Sequence, residues 1–261
     1  MTPLAELFPD GDYRFHLTLR RGEPAEFFRS RDPSGRICAE RAKWLAEDPG
    51  RYAALRPEGE LLLQEVAEMA ERNWQVRRAT TVRGLGEMLE PDFLLLSPDE
   101  TGTFRLRGGA LCFPTGWALE EKIGHTLDFI HGVVPGLNSA LASPIQQFLG
   151  RLKPGVAFLR DNWGITANEE FNQHPARALL SPTLPVALDR LWLRVEHQAL
   201  VALPRTGGAL FGIRIALHRL DEVAKEPAAR EGLRRALASM PAEVAAYKRL
   251  DAVRDAVVGL L

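Results

Sequence analysis

Histidines are the residues of this chain best suited to hold a metal ion, because a neutral imidazole is the commonest metal ligand in proteins. The chain has 261 residues and six histidines, at positions 16, 125, 131, 174, 197 and 218. His125 and His131 are six residues apart, so on a helix they would lie on roughly opposite faces and would not share a metal. His131 stands between Ile130 and a Gly-Val-Val-Pro turn, which suits an imidazole facing an apolar cavity. The alternative is a packed histidine bonded to a backbone carbonyl.

A second group of polar residues lies on a predicted strand over residues 191–203. Side chains alternate between the two faces of a strand, which puts Arg194, Glu196 and Gln198 on one face. The other face is apolar and includes His197. The polar row predicts either a solvated sheet face or the lining of a pocket. In a pocket, the carboxylate would attract an ammonium group and the arginine would hold an acidic one.

The segment 156–163 predicts another strand with chemistry on both faces. Arg160 and Asn162 share one face, and Asp161 and Trp163 share the other. Trp163 is suited to wall an apolar site or to stack on a cation. A place in the hydrophobic core is the alternative.

The elements that must position these residues predict an α+β fold, in which helices precede and follow mostly antiparallel strands. Helix-forming residues dominate from Ile37 to Trp74, and Pro49 and Pro57 each mark a new helix start. A further helix is predicted over 138–152, and helices continue from Asp221 to the end with a new start at Pro241. The predicted strands are 13–19, 93–97, 103–107, 156–163, 191–203 and 209–217, and the last two form a hairpin around the loop 204–208.

Composition excludes several classes of protein. A formal charge of −1 provides no overall attraction to nucleic acid or anionic lipid. Cys38 and Cys112 are too few for a disulfide framework or for an iron–sulfur site held by cysteines of this chain, and they fit a reducing, cytoplasmic compartment. No apolar run is long enough to span a membrane, and the first ten residues lack the basic and apolar parts of a secretion signal.

Nucleotide-binding motifs are missing from the sequence. There is no Walker loop, and Gly84-Leu-Gly86 lacks the third glycine of a dinucleotide fingerprint. Any redox reaction would therefore need electrons that are delivered from elsewhere.

Several separated blocks, in the same order, resemble the α subunit of haem-dependent oxidative N-demethylases. The resemblance runs from about Glu90 to Leu220. Its carriers are Cys112-Phe-Pro114 with Trp117, Lys122-Ile-Gly124, Ile130-His131 with Val134-Pro135, Arg160 with Asn162-Trp163, and Leu193-Arg-Val-Glu196 with Gln198 and Leu203-Pro204. Four positions depart from the family pattern: His197 stands where arginine is expected, Ala199 where threonine is expected, Asp161 where the family has an apolar residue, and Val133 where proline is usual.

The resemblance implies a single haem-binding, PAS-like domain over residues 1–261, with an antiparallel sheet flanked by N-terminal and C-terminal helices. Its helical part would cover about 37–90, its sheet-rich core 91–220 and its C-terminal helices 221–261. It implies haem b with His131 as the axial ligand, and His16 and His197 are the reserve candidates. The cofactor-binding residues expected on these grounds are Trp117, Lys122, Arg160, Asn162, Trp163 and Arg194. Of these, Lys122, Arg160 and Arg194 would form ion pairs with the haem propionates.

The activity that the resemblance implies is oxidative N-demethylation of a small, dimethylamine-like alkylamine, with release of formaldehyde. Dioxygen would be the oxidant, and a separate reductase subunit carrying a flavin would supply electrons. Glu196 and Gln198 are the expected catalytic residues, because the carboxylate can hold the alkylammonium or manage a proton. No nucleic-acid or membrane partner is expected, and an oligomer stays open. The alternatives are a haem-binding PAS-like sensor or carrier without turnover, and a structural relative that lacks haem.

Overall fold

A computed structural model describes residues 2–261, which form one seven-stranded antiparallel sheet and eleven α-helices. The strands are β1 (Arg20–Gly22), β2 (Ala53–Leu55), β3 (Asp92–Pro98), β4 (Phe104–Ala110), β5 (Ala157–Thr166), β6 (Trp192–Leu203) and β7 (Gly208–Arg219). Their order across the sheet is β1-β5-β6-β7-β3-β4-β2. The predicted α+β fold class is confirmed.

The helices fall into three groups along the chain. The first group is α1 (Pro24–Phe28), α2 (Arg36–Glu47), α3 (Pro49–Tyr52), α4 (Glu60–Asn73) and α5 (Val82–Met88). The second is α6 (Leu127–His131) and α7 (Leu137–Leu149), and the third is α8 (Leu220–Val223), α9 (Pro227–Ala238), α10 (Ala242–Tyr247) and α11 (Arg254–Leu260). The predicted start at Pro49 is confirmed, and Pro57 opens a short 3-10 helix that leads into α4. No helix among residues 2–261 is both long and apolar enough to cross a membrane.

The two faces of the sheet carry different hydrophobic cores, because neighbouring side chains on a strand point to opposite sides. On one face, Phe93 and Leu95 of β3 pack with α2, α4 and α5, and Leu193 and Val195 of β6 pack with the C-terminal helices. On the opposite face, Leu94 of β3 packs in a separate cluster with α7. Only this second face carries helices α6 and α7, so it is the face on which the cavity described below lies.

The long hairpin of β6 and β7 is the centre of the sheet and confirms the clearest strand prediction. Its register runs without interruption from Trp192 opposite Arg219 to Leu203 opposite Gly208. Strand β5 pairs with the other edge of β6 and brings Asn162 directly opposite Glu196. The two polar segments identified from the sequence are therefore neighbours.

One strand prediction is wrong. The sequence predicts a strand over residues 13–19, but these residues have no regular secondary structure, and the N-terminal strand is Arg20–Gly22 instead. Consecutive residues of this segment, from Gly11 to Leu17, line a cavity instead of joining the sheet. The partial alternation of apolar residues is therefore not evidence of strand pairing here.

Candidate functional site

A cavity of about 320 Å³ lies between the sheet, helices α6 and α7 and the N-terminal segment 7–17. Its volume is within the range of small-molecule and cofactor sites. The apolar part of its wall consists mainly of Leu94, Leu96, Leu106, Ile130, Val134, Ile145, Phe148, Leu149, Leu200, Phe211 and Ile213. Polar side chains lie on the sheet side and at the rim, so an apolar ligand with a few charged groups fits this lining.

Helix α6 brings His131 to the cavity wall. The segment before α6 is held along β4 by hydrogen bonds from the backbone N–H of Leu106 to the carbonyl of His125, 3.0 Å, and from Gly124 to the carbonyl of Leu106, 2.7 Å. The Thr126 hydroxyl caps α6 by accepting a hydrogen bond from the N–H of Phe129. His131 is the last residue of this short helix.

The imidazole of His131 is suited to bind a metal. Burial lowers its pKa, the nearby Arg160 guanidinium lowers it further, and Asp128 acts in the opposite direction. The His131 ring lines the cavity wall and makes no hydrogen bond with the described residues. A neutral, unengaged imidazole is the form that coordinates iron.

The two reserve histidines are placed differently. His16 also lines the cavity, and burial, Arg160 and Arg14 lower its pKa, but its Nδ1 atom lies 3.0 Å from the Thr18 hydroxyl. His197 does not line the cavity, and its Nδ1 atom bonds Asp161 Oδ1 at 2.6 Å. The structure therefore brings His131 and His16, but not His197, to the same cavity.

Lys122 and Arg160, two of the cations predicted to bind the cofactor, lie in the cavity wall without a carboxylate partner among residues 2–261. Lys122 is 8% exposed, and its ammonium lies 5.5 Å from the centroid of the Phe129 ring without a hydrogen bond. Arg160 makes neither an ion pair nor a side-chain hydrogen bond, and burial lowers its pKa although Glu196 and Asp161 act to raise it. Burying a cation without a partner costs free energy, so both side chains are available to pair with an anionic group of a ligand.

Arg194 has a different environment from the other two predicted cations. Its guanidinium donates to the carbonyls of Phe113 at 2.8 Å and Phe171 at 2.7 Å, and its Nε atom donates to the Thr115 hydroxyl at 2.9 Å. Burial lowers its pKa to about 10. The side chain lies outside the wall of the 320 Å³ cavity, so its geometry is that of a clamp between two loops and β6.

Glu196 is a buried carboxylate held by several donors at the cavity. It is 7% exposed, and it accepts hydrogen bonds from the Thr115 hydroxyl at 2.5 Å, Gln198 Nε2 at 2.8 Å and Asn162 Nδ2 at 3.2 Å. The donors come from β5, β6 and the loop that follows β4, so the carboxylate cannot turn away. Of the two alternatives for the polar row, a pocket lining rather than a solvated face is confirmed for Glu196 and Gln198.

A second, more polar cavity of about 400 Å³ adjoins the first. Its wall includes Arg194, His174 and residues 179–182, which belong to a loop between β5 and β6. Residues common to both cavities are Trp117, Asn162, Trp163, Glu196, Tyr247 and Lys248. Glu196 therefore stands where the apolar and the polar cavity meet.

Trp163 serves both the core and the cavities. Its ring is 5.3 Å from that of Phe8 in an edge-to-face arrangement, and the Lys248 ammonium lies 5.4 Å from its centroid. The sequence analysis missed Tyr13, Tyr247 and Lys248 at this site. A run of helix-forming residues near position 247 contains no local signal for a contact with a strand more than eighty residues earlier in the chain.

Comparison with known protein families matches residues 62–258 to a family described as haem-dependent oxidative N-demethylase, alpha subunit-like. This is about three quarters of the chain. The matched part includes His131, Arg160 and Glu196, whereas His16 lies outside it. The chain therefore belongs to the haem-dependent oxidative N-demethylase, alpha subunit-like family.

Proposed function

We propose that this protein binds haem b in the 320 Å³ cavity, where His131 would hold the iron, and that it oxidatively demethylates a small alkylamine. The observation that carries this proposal is the meeting of three features in one cavity. A neutral imidazole, two unpaired cations and a fixed carboxylate face the same apolar space. This combination matches the iron, the propionates and an ammonium substrate.

The residues present fit haem. His131 offers the nitrogen ligand, and the leucine, isoleucine and phenylalanine side chains of the wall suit the porphyrin ring. Lys122 and Arg160 would form ion pairs with the propionates, and this pairing would offset the desolvation free energy of the two buried cations. Arg194 is already held by carbonyl groups, so we propose that it positions the Thr115 loop rather than a propionate. The antiparallel sheet with helices over the cavity supports a PAS-like haem domain.

Glu196 would hold the substrate as its ammonium ion. A carboxylate with three fixed donors attracts a cation without a change of conformation, and the indoles of Trp117 and Trp163 add apolar and cation–π surface beside it. Asn162 and Gln198 keep the carboxylate in one orientation and so fix where the N-methyl group lies. Glu196 would also accept the ammonium proton when the amine must become neutral.

Bound haem would supply the activation of dioxygen. In the overall reaction, one N-methylamine, dioxygen, two electrons and two protons give the demethylated amine, formaldehyde and water. The electrons would come from a separate flavin-containing reductase, in agreement with a family described as that of an alpha subunit. Two free cysteines are compatible with the reducing cytoplasm in which such a partner would operate.

The test combines a spectrum with a product assay. The protein is expressed with a supply of haem precursor, and absorption spectra are recorded in the oxidised and the reduced state. It is then incubated aerobically with dimethylamine and a surrogate reductant, and formaldehyde is measured. A Soret band together with catalytic formaldehyde release supports the proposal. Gas binding without turnover would instead support a sensor or carrier, and the absence of a Soret band would overturn the haem assignment altogether.

A further inference from the structure

Lys248 follows helix α10 directly and stands at the boundary of the two cavities. Its Nζ atom donates a hydrogen bond to the carbonyl oxygen of Trp163, 2.6 Å, and lies beside the indole ring of the same residue. The side chain is half-buried and lines both cavities. Its amine is therefore both withdrawn from bulk water and open to a small molecule inside the protein.

The other four lysines have different surroundings. Lys43, Lys153 and Lys225 are exposed, and Lys225 forms an ion pair with Glu222 at 2.7 Å. Lys122 is buried and faces the Phe129 ring in the first cavity. Among residues 2–261, Lys248 has no carboxylate within ion-pairing distance, and burial lowers its pKa to about 8 against a weaker opposing attraction from Glu196.

We propose that Lys248 is a nucleophilic amine that reversibly captures aldehydes in these cavities as a Schiff base. The geometry supports it, because the amine is held by one backbone acceptor, has no counter-ion and borders the space beside Glu196. The choice of aldehyde rests on the proposed function, which releases formaldehyde at this place. The reactivity of the amine does not rest on it.

The chemistry balances without any oxidant or reductant. The neutral Nζ lone pair forms a bond to the carbonyl carbon while the C–O π bond breaks, and a proton moves from the nitrogen to the oxygen, which gives a neutral carbinolamine. Loss of water then leaves a C=N bond, and hydrolysis returns the amine and the aldehyde. Reduction of the C=N bond by added cyanoborohydride converts it into a stable N-methyl-lysine and so records where capture occurred.

Competition among the lysines of the wild-type protein tests the proposal. The haem-loaded protein is incubated at about pH 7.5 with less formaldehyde than protein, in the presence of cyanoborohydride, and methylation at each lysine is followed by peptide mass spectrometry. An amine with a pKa of about 8 is neutral in about a quarter of molecules at this pH, whereas an ordinary lysine is neutral in about 0.1%. We expect Lys248 to be methylated at least ~10-fold faster than Lys43, Lys153 or Lys225, after allowance for its lower basicity and access.

Two further measurements complete the test. The variant K248R retains a cation that can donate to the Trp163 carbonyl but forms no Schiff base, and it should lose the fast methylation while the exposed lysines react as before. The matched control K225R should retain fast methylation at Lys248. Labelling that simply follows exposure, with Lys248 no faster than Lys225, would overturn the inference. The assay needs no dioxygen, reductase or turnover, so a failure of N-demethylation would leave its result intact, and selective capture would not rescue the proposed function.

Discussion

The Thr115 hydroxyl donates a hydrogen bond to the carboxylate of Glu196 at 2.5 Å, although 81 residues separate them in the chain. The same hydroxyl accepts a hydrogen bond from Arg194 Nε at 2.9 Å, so one threonine connects two residues of β6 to the loop after β4. The loop is anchored in turn by buried Asp92, whose carboxylate accepts the N–H groups of Cys112 at 2.6 Å and Phe113 at 3.0 Å. The orientation of the Glu196 carboxylate, which we propose binds the substrate, therefore depends on contacts that link β6, the loop after β4 and Asp92 of β3.

The variant E196Q removes the charge but retains the size of the side chain. Loss of a buried ammonium–carboxylate contact typically costs about 2–4 kcal/mol, so we expect kcat/KM for the amine to fall by about 10²-fold, mainly through a higher KM. The Soret band should be unchanged, because the carboxylate does not touch the proposed iron ligand. Steady-state assays with dimethylamine measure the effect. The exposed Glu169 supplies the control E169Q, and equal activity of E196Q and E169Q would contradict the role of Glu196.

The variant H131A should lose most of its haem, because the proposed axial bond disappears while the cavity stays apolar. Haem content after purification and the Soret spectrum with and without added imidazole are the measurements, and imidazole should restore part of the band. The control is H125A, since His125 is exposed and its ring stacks on Phe129 outside the cavity wall. A normal spectrum for H131A together with loss of haem in H16A would transfer the assignment to His16.

The variants K122M and R160M should bind haem more weakly, because each removes a proposed partner of a propionate. A charge-assisted hydrogen bond contributes about 1.5–3 kcal/mol, so each change should accelerate haem transfer to an acceptor protein by about 10-fold or more. The double variant should be faster than either single one. The exposed residues Arg151 and Lys153 provide matched controls, R151M and K153M, with unchanged transfer rates. Equal rates in all four single variants would remove both cations from the proposed site.

Ionisation of Asp161 should make the free energy of unfolding depend on pH in the acidic range. Burial raises its pKa, but hydrogen bonds from His197, Arg20 and Thr2 outweigh that effect and hold the pKa at about 2. Because this is below the value of an unfolded aspartate, the ionised carboxylate stabilises the fold above about pH 4, and the contribution of about 2 kcal/mol is lost as the pH falls toward 2. Asp161 and His197, two of the positions at which the sequence analysis expects a departure from the family pattern, bond to each other.

The variant D161N measures this contribution. Urea unfolding at pH 7 should show a lower free energy of unfolding than wild type by about 2 kcal/mol, and the difference should shrink below pH 4. The control D255N changes an aspartate whose side chain is 89% exposed and should have little effect at either pH. A difference between D161N and wild type that stays constant from pH 7 to pH 3 would show that ionisation of Asp161 is not its cause.

Local pattern in the sequence was sufficient for most of the secondary structure. The hairpin of β6 and β7, the start of α3 at Pro49 and the shared face of Glu196 and Gln198 follow from residue periodicity and proline geometry, which act over a few neighbours. The strand prediction for segment 13–19 is wrong because consecutive residues of its first part line a cavity, an environment that distant elements create and that local alternation does not reveal.

The sequence by itself determined which side chains share a strand face and, through separated motif blocks, the family. Only the tertiary structure decided which of three candidate histidines face the cavity, which cations are unpaired and that Lys248 borders the same space as Glu196. The physical reason is that desolvation and pairing depend on atoms brought together from strands, loops and helices far apart in the chain. The type of a residue limits the chemistry of its side chain, and burial and neighbouring groups determine whether that chemistry is available to a ligand.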